Sequence, residues 1–227
     1  MKTVSVIIVT AGTASRMNGI DKQLFILDHI PVFLHSVLTF SQIKEVCEIV
    51  IVAKKHQLSV MKQYCDEYNI NKPILIVSGG ETRQQSCFCG VSACQTDSNY
   101  IAFHDGARPL ITVEEIRQVI RDAQHYGAAS LGVPSKDTVK IVGKDGLVKT
   151  TPDREQVYSI QTPQVFEKTQ YLLCMEQAQQ KGIHYTDDCQ LFELVQKPVF
   201  ITKGSYQNIK ITTPEDLSLA QQLLKQR

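Results

Sequence analysis

Residues 100–133 read YIAFHDGARPLITVEEIRQVIRDAQHYGAASLGV, and the fold class turns on this stretch. Tyr100–His104 is a short apolar run of strand length that runs straight into Asp105-Gly106-Ala107-Arg108-Pro109. Thr112 and Glu115 then form a capping box, and Ile116, Val119, Ile120 and Ala123 recur behind it at helical spacing. Ala128–Val133 is a second apolar run. Strand, capped helix and strand in immediate succession predict a βαβ unit, whose two strands lie parallel in one sheet.

The same rhythm extends in both directions. Upstream, Val4–Val9, Ile49–Ala53 and Ile74–Ser78 read as strands, and Phe33–Phe40, His56–Tyr68 and Thr82–Cys94 as helices. Downstream, Glu167–Gln180 and Asp187–Val195 read as helices, and Val199–Thr202 and Asn208–Thr212 as strands. A last helix opens at Thr213-Pro214-Glu215-Asp216, with a hydroxyl N-cap, Pro at the first position and acids at the positive dipole end. The alternation predicts an α/β domain over residues 1–227, with a mostly parallel sheet flanked by helices on both faces. One segment breaks the rhythm. Lys136–Val142 and Leu147–Thr151 flank Gly143-Lys144-Asp145-Gly146, a hairpin signal rich in lysine. Such a hairpin lacks a core of its own and is expected to project as an inserted β-arm at about 136–155.

Composition narrows the function. Twenty-four Lys and Arg against 23 Asp and Glu leave a net charge of +1, which argues against a globally basic nucleic-acid binder. No run of about 18 apolar residues marks a membrane helix, and the N-terminal residues read as a first strand rather than a signal peptide. The seven cysteines form no C-x-x-C pair, so they are expected to be reduced thiols, several of them buried.

Ligands of open α/β sheets bind beyond the carboxyl ends of the strands. After the first strand, Thr10–Gln23 combines small residues with Arg16 and Lys22, but lacks both G-K-[ST] and G-x-G-x-x-G. On its own this loop is best read as an ordinary turn with two surface cations. Gly79-Gly80 precede a helix in which Ser86 could bond a base edge, or they simply open that helix. Asp105 suits either a hydrated Mg²⁺ or turn formation. His104 is expected to be structural rather than a general base. Lys210 in an apolar run points to an anionic site, or to an edge lysine with its head in solvent.

The segments in combination are more specific than any one alone. Ala11-Gly12 leading to Arg16-Met17, Lys22-Gln23, Gly79–Ser86 as G-G-x-x-R-x-x-S, and His104–Pro109 as H-D-x-A-R-P come first. Lys136–Lys140 as K-D-T-x-K, Asp153-Arg154, Gln161–Phe166 as Q-T-P-Q-x-F, Thr186-Asp187-Asp188 and Asn208–Asp216 as N-I-K-x-T-x-P-E-D follow in order. This set resembles the 2-C-methyl-D-erythritol 4-phosphate cytidylyltransferase family. The resemblance implies a Rossmann-like nucleotidyltransferase fold, a β-arm that clasps a second copy of the chain in a homodimer, and a cytoplasmic enzyme (or a plastid one, in a plant or alga). It also implies transfer of the cytidylyl group of CTP to a polyol phosphate with Mg²⁺, without a covalent enzyme intermediate, and no nucleic-acid or membrane partner.

By match to the family's motifs, Arg16, Lys22 and Lys210 are expected to be catalytic. Ala11, Gly12, Gly80, Glu81, Ser86 and Asp105 are expected to bind CTP, with Asp105 also at the metal. Arg108, Thr138, Arg154, Thr162 and Thr186 are expected to meet the polyol phosphate, as is Lys210, with Arg154 and Thr162 coming from the neighbouring subunit's arm region. Thr10, Ala14 and Ser15 depart from the family pattern, and Ser15 removes one possible charge. Asp28–Pro31 replaces a common turn and is read as surface variation. The alternatives are a ribitol 5-phosphate cytidylyltransferase and a non-catalytic nucleotide-binding protein. Pro134–Lys140 and Thr186-Asp187-Asp188 favour the isoprenoid enzyme over the first, and the Arg16, Lys22, Asp105, Lys210 set argues against the second.

Overall fold

A computed structural model describes residues 1–12, 17 and 19–226. Its first half runs β1 (Val4–Val9), β2 (Ile26–Leu27), β3 (Ile30–Pro31), α1 (Val32–Ser41), β4 (Val46–Ala53), α2 (Leu58–Glu67), β5 (Ile74–Ser78), α3 (Arg83–Ala93), β6 (Tyr100–Asp105) and α4 (Val113–Tyr126). The second half runs β7 (Ala128–Pro134), β8 (Ile141–Val142), β9 (Val148–Thr150), β10 (Tyr158–Glu167), α5 (Lys168–Gln180), α6 (Cys189–Leu194), β11 (Phe200–Lys203) and α7 (Pro214–Leu224). Seven strands form the main sheet in the order β11-β7-β10-β6-β1-β4-β5. All adjacent pairs are parallel except those made by β10, so the fold is a mostly parallel Rossmann-like nucleotidyltransferase sheet.

Strand alternation explains the layering. Val4, Val6 and Ile8 of β1 join Ile49 and Ile51 of β4 in a cluster with Phe33 and Phe40 of α1, Met61 of α2, and Ile116 and Val119 of α4. Ile7, Val50 and Val52 face the other way, onto Cys87 of α3, Tyr171 of α5 and Phe192 of α6. Every α4 feature expected from sequence is present: Thr112 caps the Glu115 amide, and Ile116, Val119, Ile120 and Ala123 are buried. All seven cysteines are free, and Cys65, Cys87, Cys174 and Cys189 are buried.

Several segments differ from the sequence reading. The sequence reading assigned no strand at Tyr158–Glu167, where Pro163 is an unusual residue for a central strand. β10 nevertheless lies between β6 and β7, antiparallel to both, and its ladder to β7 is broken between Ile160 and Gln164, around the proline. Conversely, Asn208–Thr212 is not a strand. Its carbonyls and amides are taken elsewhere: Arg108 Nη1 donates to the Asn208 carbonyl at 2.7 Å, Ile211 N to the Ala107 carbonyl at 2.8 Å, and Thr212 N to Asp216 Oδ2 at 2.7 Å. The arm hairpin is also shorter than expected, with β8 and β9 pairing only over Ile141–Val142 and Val148–Thr150. Asp28 and His29, read as surface variation, form a two-residue turn between β2 and β3 with φ of 47° and 71°.

Candidate active site

The carboxyl ends of β1, β5 and β6 open onto one cleft of about 320 Å³. Ala11 and Gly12 enter from the loop after β1, Gly80, Glu81, Arg83 and Ser86 from the start of α3, and Asp105 and Ala107 from the end of β6. Lys22, Lys210 and Thr212 close the remaining side. A larger groove, about 670 Å³, lies between α2 and β5 and contains none of these residues. Size therefore does not identify the site; the convergence of cations and a carboxylate does.

Glycine permits the close approach of the first two loops. A Cβ on Gly79 would lie 2.6 Å from Ala11 Cβ and 2.8 Å from Ser86 Oγ, so any side chain there would push the loop after β1 away from α3. The start of α3 is satisfied internally. Gly80 N donates to Ser86 Oγ at 3.2 Å, Glu81 N and Thr82 N to Gln85 Oε1, and Gln85 N to Thr82 Oγ1. A ligand edge at Gly80 would therefore exchange bonds with Ser86.

Asp105 is the electrostatic centre. Lys210 Nζ lies 2.8 Å from its Oδ2, and Arg108 Nε approaches the same oxygen at 3.6 Å. Burial pushes its carboxyl pKa up, but Lys210, Arg83 and Arg108 outweigh that and hold it well below the usual carboxylate range. Lys22 Nζ donates to the Ile211 carbonyl at 3.1 Å, next to Lys210 in sequence. Lys22, from the loop after β1, is thus braced against the segment that carries Lys210.

The remaining predicted residues separate into three groups. Arg108 is nearly buried beneath the cleft and tied to the carbonyls of Asn208 and Ile160. Thr162 is not on the arm. It sits buried in β10, where its Oγ1 accepts the Asp105 amide at 3.0 Å, so the expectation that it reaches a neighbouring subunit is corrected. Thr138 and Arg154 are exposed on and beside the hairpin and do not line the cleft, nor does Thr186, whose amide donates to Gln190 Oε1 at 2.8 Å. Arg16 lies outside the described residues, as do Ala14 and Ser15. His104 is fully buried, and burial lowers its pKa to about 4, as a structural histidine requires.

Sequence reading gave Arg83 no role. It lines the cleft, and its Nη1 pairs with the buried Asp188 Oδ2 at 2.5 Å. Tyr171 OH donates to the other oxygen of Asp188 at 2.8 Å. The signal was present in the arginine of G-G-x-x-R-x-x-S and the second aspartate of T-D-D, which lie far apart in the chain.

The donor set bears on a metal. Among the described residues no group of three or more His, Cys, Asp or Glu converges. Of the two carboxylates that line the cleft, Glu81 is exposed and Asp105 is buried, a donor set that fits Mg²⁺ held mainly by substrate phosphates and water, with Asp105 as the protein carboxylate.

Comparison with known proteins agrees with this geometry. A family model described as 2-C-methyl-D-erythritol 4-phosphate cytidylyltransferase matches residues 4–226. The protein of that name from Desulforamulus reducens is 40% identical, over 100% of this chain and 98% of its own length. That from Dehalococcoides mccartyi is 43% identical over 98% of this chain and 96% of its own. Among solved structures, the 4-diphosphocytidyl-2C-methyl-D-erythritol synthase of Anaerococcus prevotii superposes with a TM-score of 0.88 at 34% identity, covering 99% of both chains.

Proposed function

The chain belongs to the 2-C-methyl-D-erythritol 4-phosphate cytidylyltransferase family, and from that membership we propose how its cleft carries out the family's reaction. The enzyme transfers the cytidylyl group of CTP to 2-C-methyl-D-erythritol 4-phosphate in non-mevalonate isoprenoid biosynthesis. The products are 4-diphosphocytidyl-2-C-methyl-D-erythritol and pyrophosphate. Family membership disfavours the ribitol 5-phosphate alternative.

A phosphate oxygen of the polyol phosphate attacks the α-phosphorus of CTP as the bond to the β-phosphate oxygen breaks. Two anions must meet, so the protein's contribution is charge neutralisation and alignment. Lys22 and Lys210, with Arg16, are assigned to the charge that develops at the α-phosphoryl group. Ala11, Gly12, Gly80, Glu81 and Ser86 frame the nucleoside. Asp105 orients Lys210 and is the residue that would hold Mg²⁺, which when bound neutralises phosphate charge. Thr186, Arg108 and Thr162 of one protomer are assigned to the polyol phosphate, with Thr138 and Arg154 supplied by the partner's arm at 136–155 in a cytosolic homodimer. Residues 1–227 act as one nucleotidyltransferase domain.

The convergence of Lys22, Lys210 and Asp105 on one cleft carries this reading. A pyrophosphate-release assay tests it, with CTP and either methylerythritol phosphate or ribitol 5-phosphate. Turnover is expected with the first polyol only, to vanish in excess chelator, and to return with added Mg²⁺. Equal turnover with ribitol phosphate would overturn the substrate, and full activity after exhaustive chelation would overturn the metal.

A further inference from the structure

We propose that His104 is a positioning residue of cytidylyl transfer, acting through Thr162 and the Arg108 carbonyl on the turn that presents Asp105. The inference rests on the reading of Asp105 and its neighbours as the transfer site. His104 and Asp105 are successive residues at the end of β6, so their side chains leave opposite faces of the sheet. Asp105 enters the cleft, whereas His104 packs against α1, edge-on to Phe40 at 5.1 Å.

The hydrogen bonds around the imidazole fix its tautomer. Its Nε2 lies 3.2 Å from the Arg108 carbonyl oxygen and 3.2 Å from Ser36 Oγ, while Ser36 Oγ donates to that same carbonyl at 3.1 Å. A carbonyl only accepts, so Nε2 carries the proton. A neutral imidazole has one such proton, which leaves Nδ1 as an acceptor. Thr162 Oγ1 lies 3.1 Å from Nδ1 and already accepts the Asp105 amide at 3.0 Å. The single hydroxyl proton of Thr162 therefore points to Nδ1. The opposite tautomer would set a bare nitrogen against a carbonyl and aim two donors at the one hydroxyl.

The chain of bonds runs from Ser36 of α1, through His104 of β6 and Thr162 of β10, to the Asp105 amide. It fixes both ends of the turn, whose own bond joins Arg108 N to the Asp105 carbonyl at 2.9 Å. A shift of that turn would move the carboxylate away from Lys210 and the guanidinium of Arg108 with it. Reactions accelerated by alignment lose rate steeply with misplacements of about 1 Å.

His104→Gln and His104→Asn separate positioning from packing. Asn sets a carbonyl acceptor near the place of Nδ1 and keeps the Thr162 link. Gln reaches toward the place of Nε2 and leaves Thr162 without its acceptor. We expect kcat to fall about tenfold or more in His104→Gln, with KM for CTP within about threefold, and to fall less in His104→Asn despite its greater loss of volume. A packing role predicts the reverse order, with rates that follow Tm, and that order would overturn the proposal. If both variants fail to fold, imidazole nitrogen NMR of the wild-type enzyme decides. A neutral ring protonated at Nε2 supports the proposal, and an Nδ1-protonated or doubly protonated ring refutes it. Asp105→Asn in the same assay keeps the two readings apart. Wild-type turnover in Asp105→Asn would refute the site reading, whereas lost turnover there beside wild-type turnover in His104→Gln would refute the positioning role alone.

Discussion

Lys22 and Lys210 reach the cleft with different supports, and this difference is testable residue by residue. Lys210 is held by the Asp105 carboxylate at 2.8 Å, while Lys22 grips the backbone at Ile211 at 3.1 Å. Neither lysine belongs to a hydrophobic cluster, so truncation should spare the fold. Lys22→Ala and Lys210→Ala are each expected to lower kcat by the equivalent of about 2.7–4 kcal/mol, the scale of a lost transition-state donor. Near-wild-type kcat in either folded variant, checked by circular dichroism, would remove that residue from the catalytic set. His104 makes a prediction about stability. Its pKa falls from 6.5 to about 4 on folding, because burial excludes the charged ring. Between those values the unfolded chain binds the extra proton, so stability is complete above about pH 6.5 and declines as pH falls toward 4. The loss amounts to about 3 kcal/mol at the lower limit. Glu48 acts in the same direction at lower pH. Burial raises its pKa, but the hydroxyls of Ser5 and Thr96 and the amides of Gln95 and Thr96 more than offset that and lower it, so its contribution is lost as pH falls through that lowered value. Urea midpoints measured from pH 7.5 to 4.5 should fall in the wild type and fall less in His104→Asn; parallel curves would show that His104 does not stay neutral in the fold.

At the scale of elements, the β8–β9 hairpin is the least self-sufficient part of the chain. Ile141, Val142, Leu147 and Val148 are 49%, 50%, 69% and 58% exposed, so the hairpin is less uniformly polar than its lysines suggest. Two strands this short are marginal in water without a covering surface. If a second copy supplies that surface, Ile141→Lys combined with Val148→Lys should convert dimer to monomer in light scattering at micromolar concentration, with little change in Tm of the main sheet. A stable dimer in that variant would place the contact elsewhere. The strands and helices of the main sheet were legible where local signals agree. Thr112 caps, Ile116–Ala123 keep helical spacing, β1 is apolar but for Ser5, and Ile49–Ala53 of β4 is an unbroken apolar run. Legibility failed where long-range contacts decide. Pro163 masks a central strand whose ladder is broken around it. Ile209 and Ile211 imitate strand alternation, yet Arg108, Lys22 and Asp216 claim the neighbouring backbone. Most of the cleft could be read from residues that follow strands, because topology brings strand ends together. Arg83 sits in one such motif, but its pairing was hidden because its partner Asp188 arrives from a distant loop.

For the whole molecule, the proposed assembly implies that no single chain contains a complete site. Lys22 and Lys210 line the cleft, whereas Arg154 is exposed in a short turn beside the hairpin and outside it. A two-fold contact is self-complementary, so one arm crossing the axis completes both sites at once. Arg154→Ala should then raise KM for the polyol phosphate and leave CTP binding nearly intact, because only the partner's polyol side is altered. Mixing Arg154→Ala protein with Lys22→Ala protein makes the geometry measurable. In a mixed dimer, one cleft combines an intact Lys22 with an intact arm from the other chain, while its counterpart carries both lesions. With free exchange of equal amounts, about a quarter of all sites should be restored under this symmetry, well above the sum of the two parents. Native mass spectrometry would confirm that heterodimers had formed. Heterodimers without rescue would mean that Arg154 serves its own cleft or none, and the arm would then be an assembly device alone.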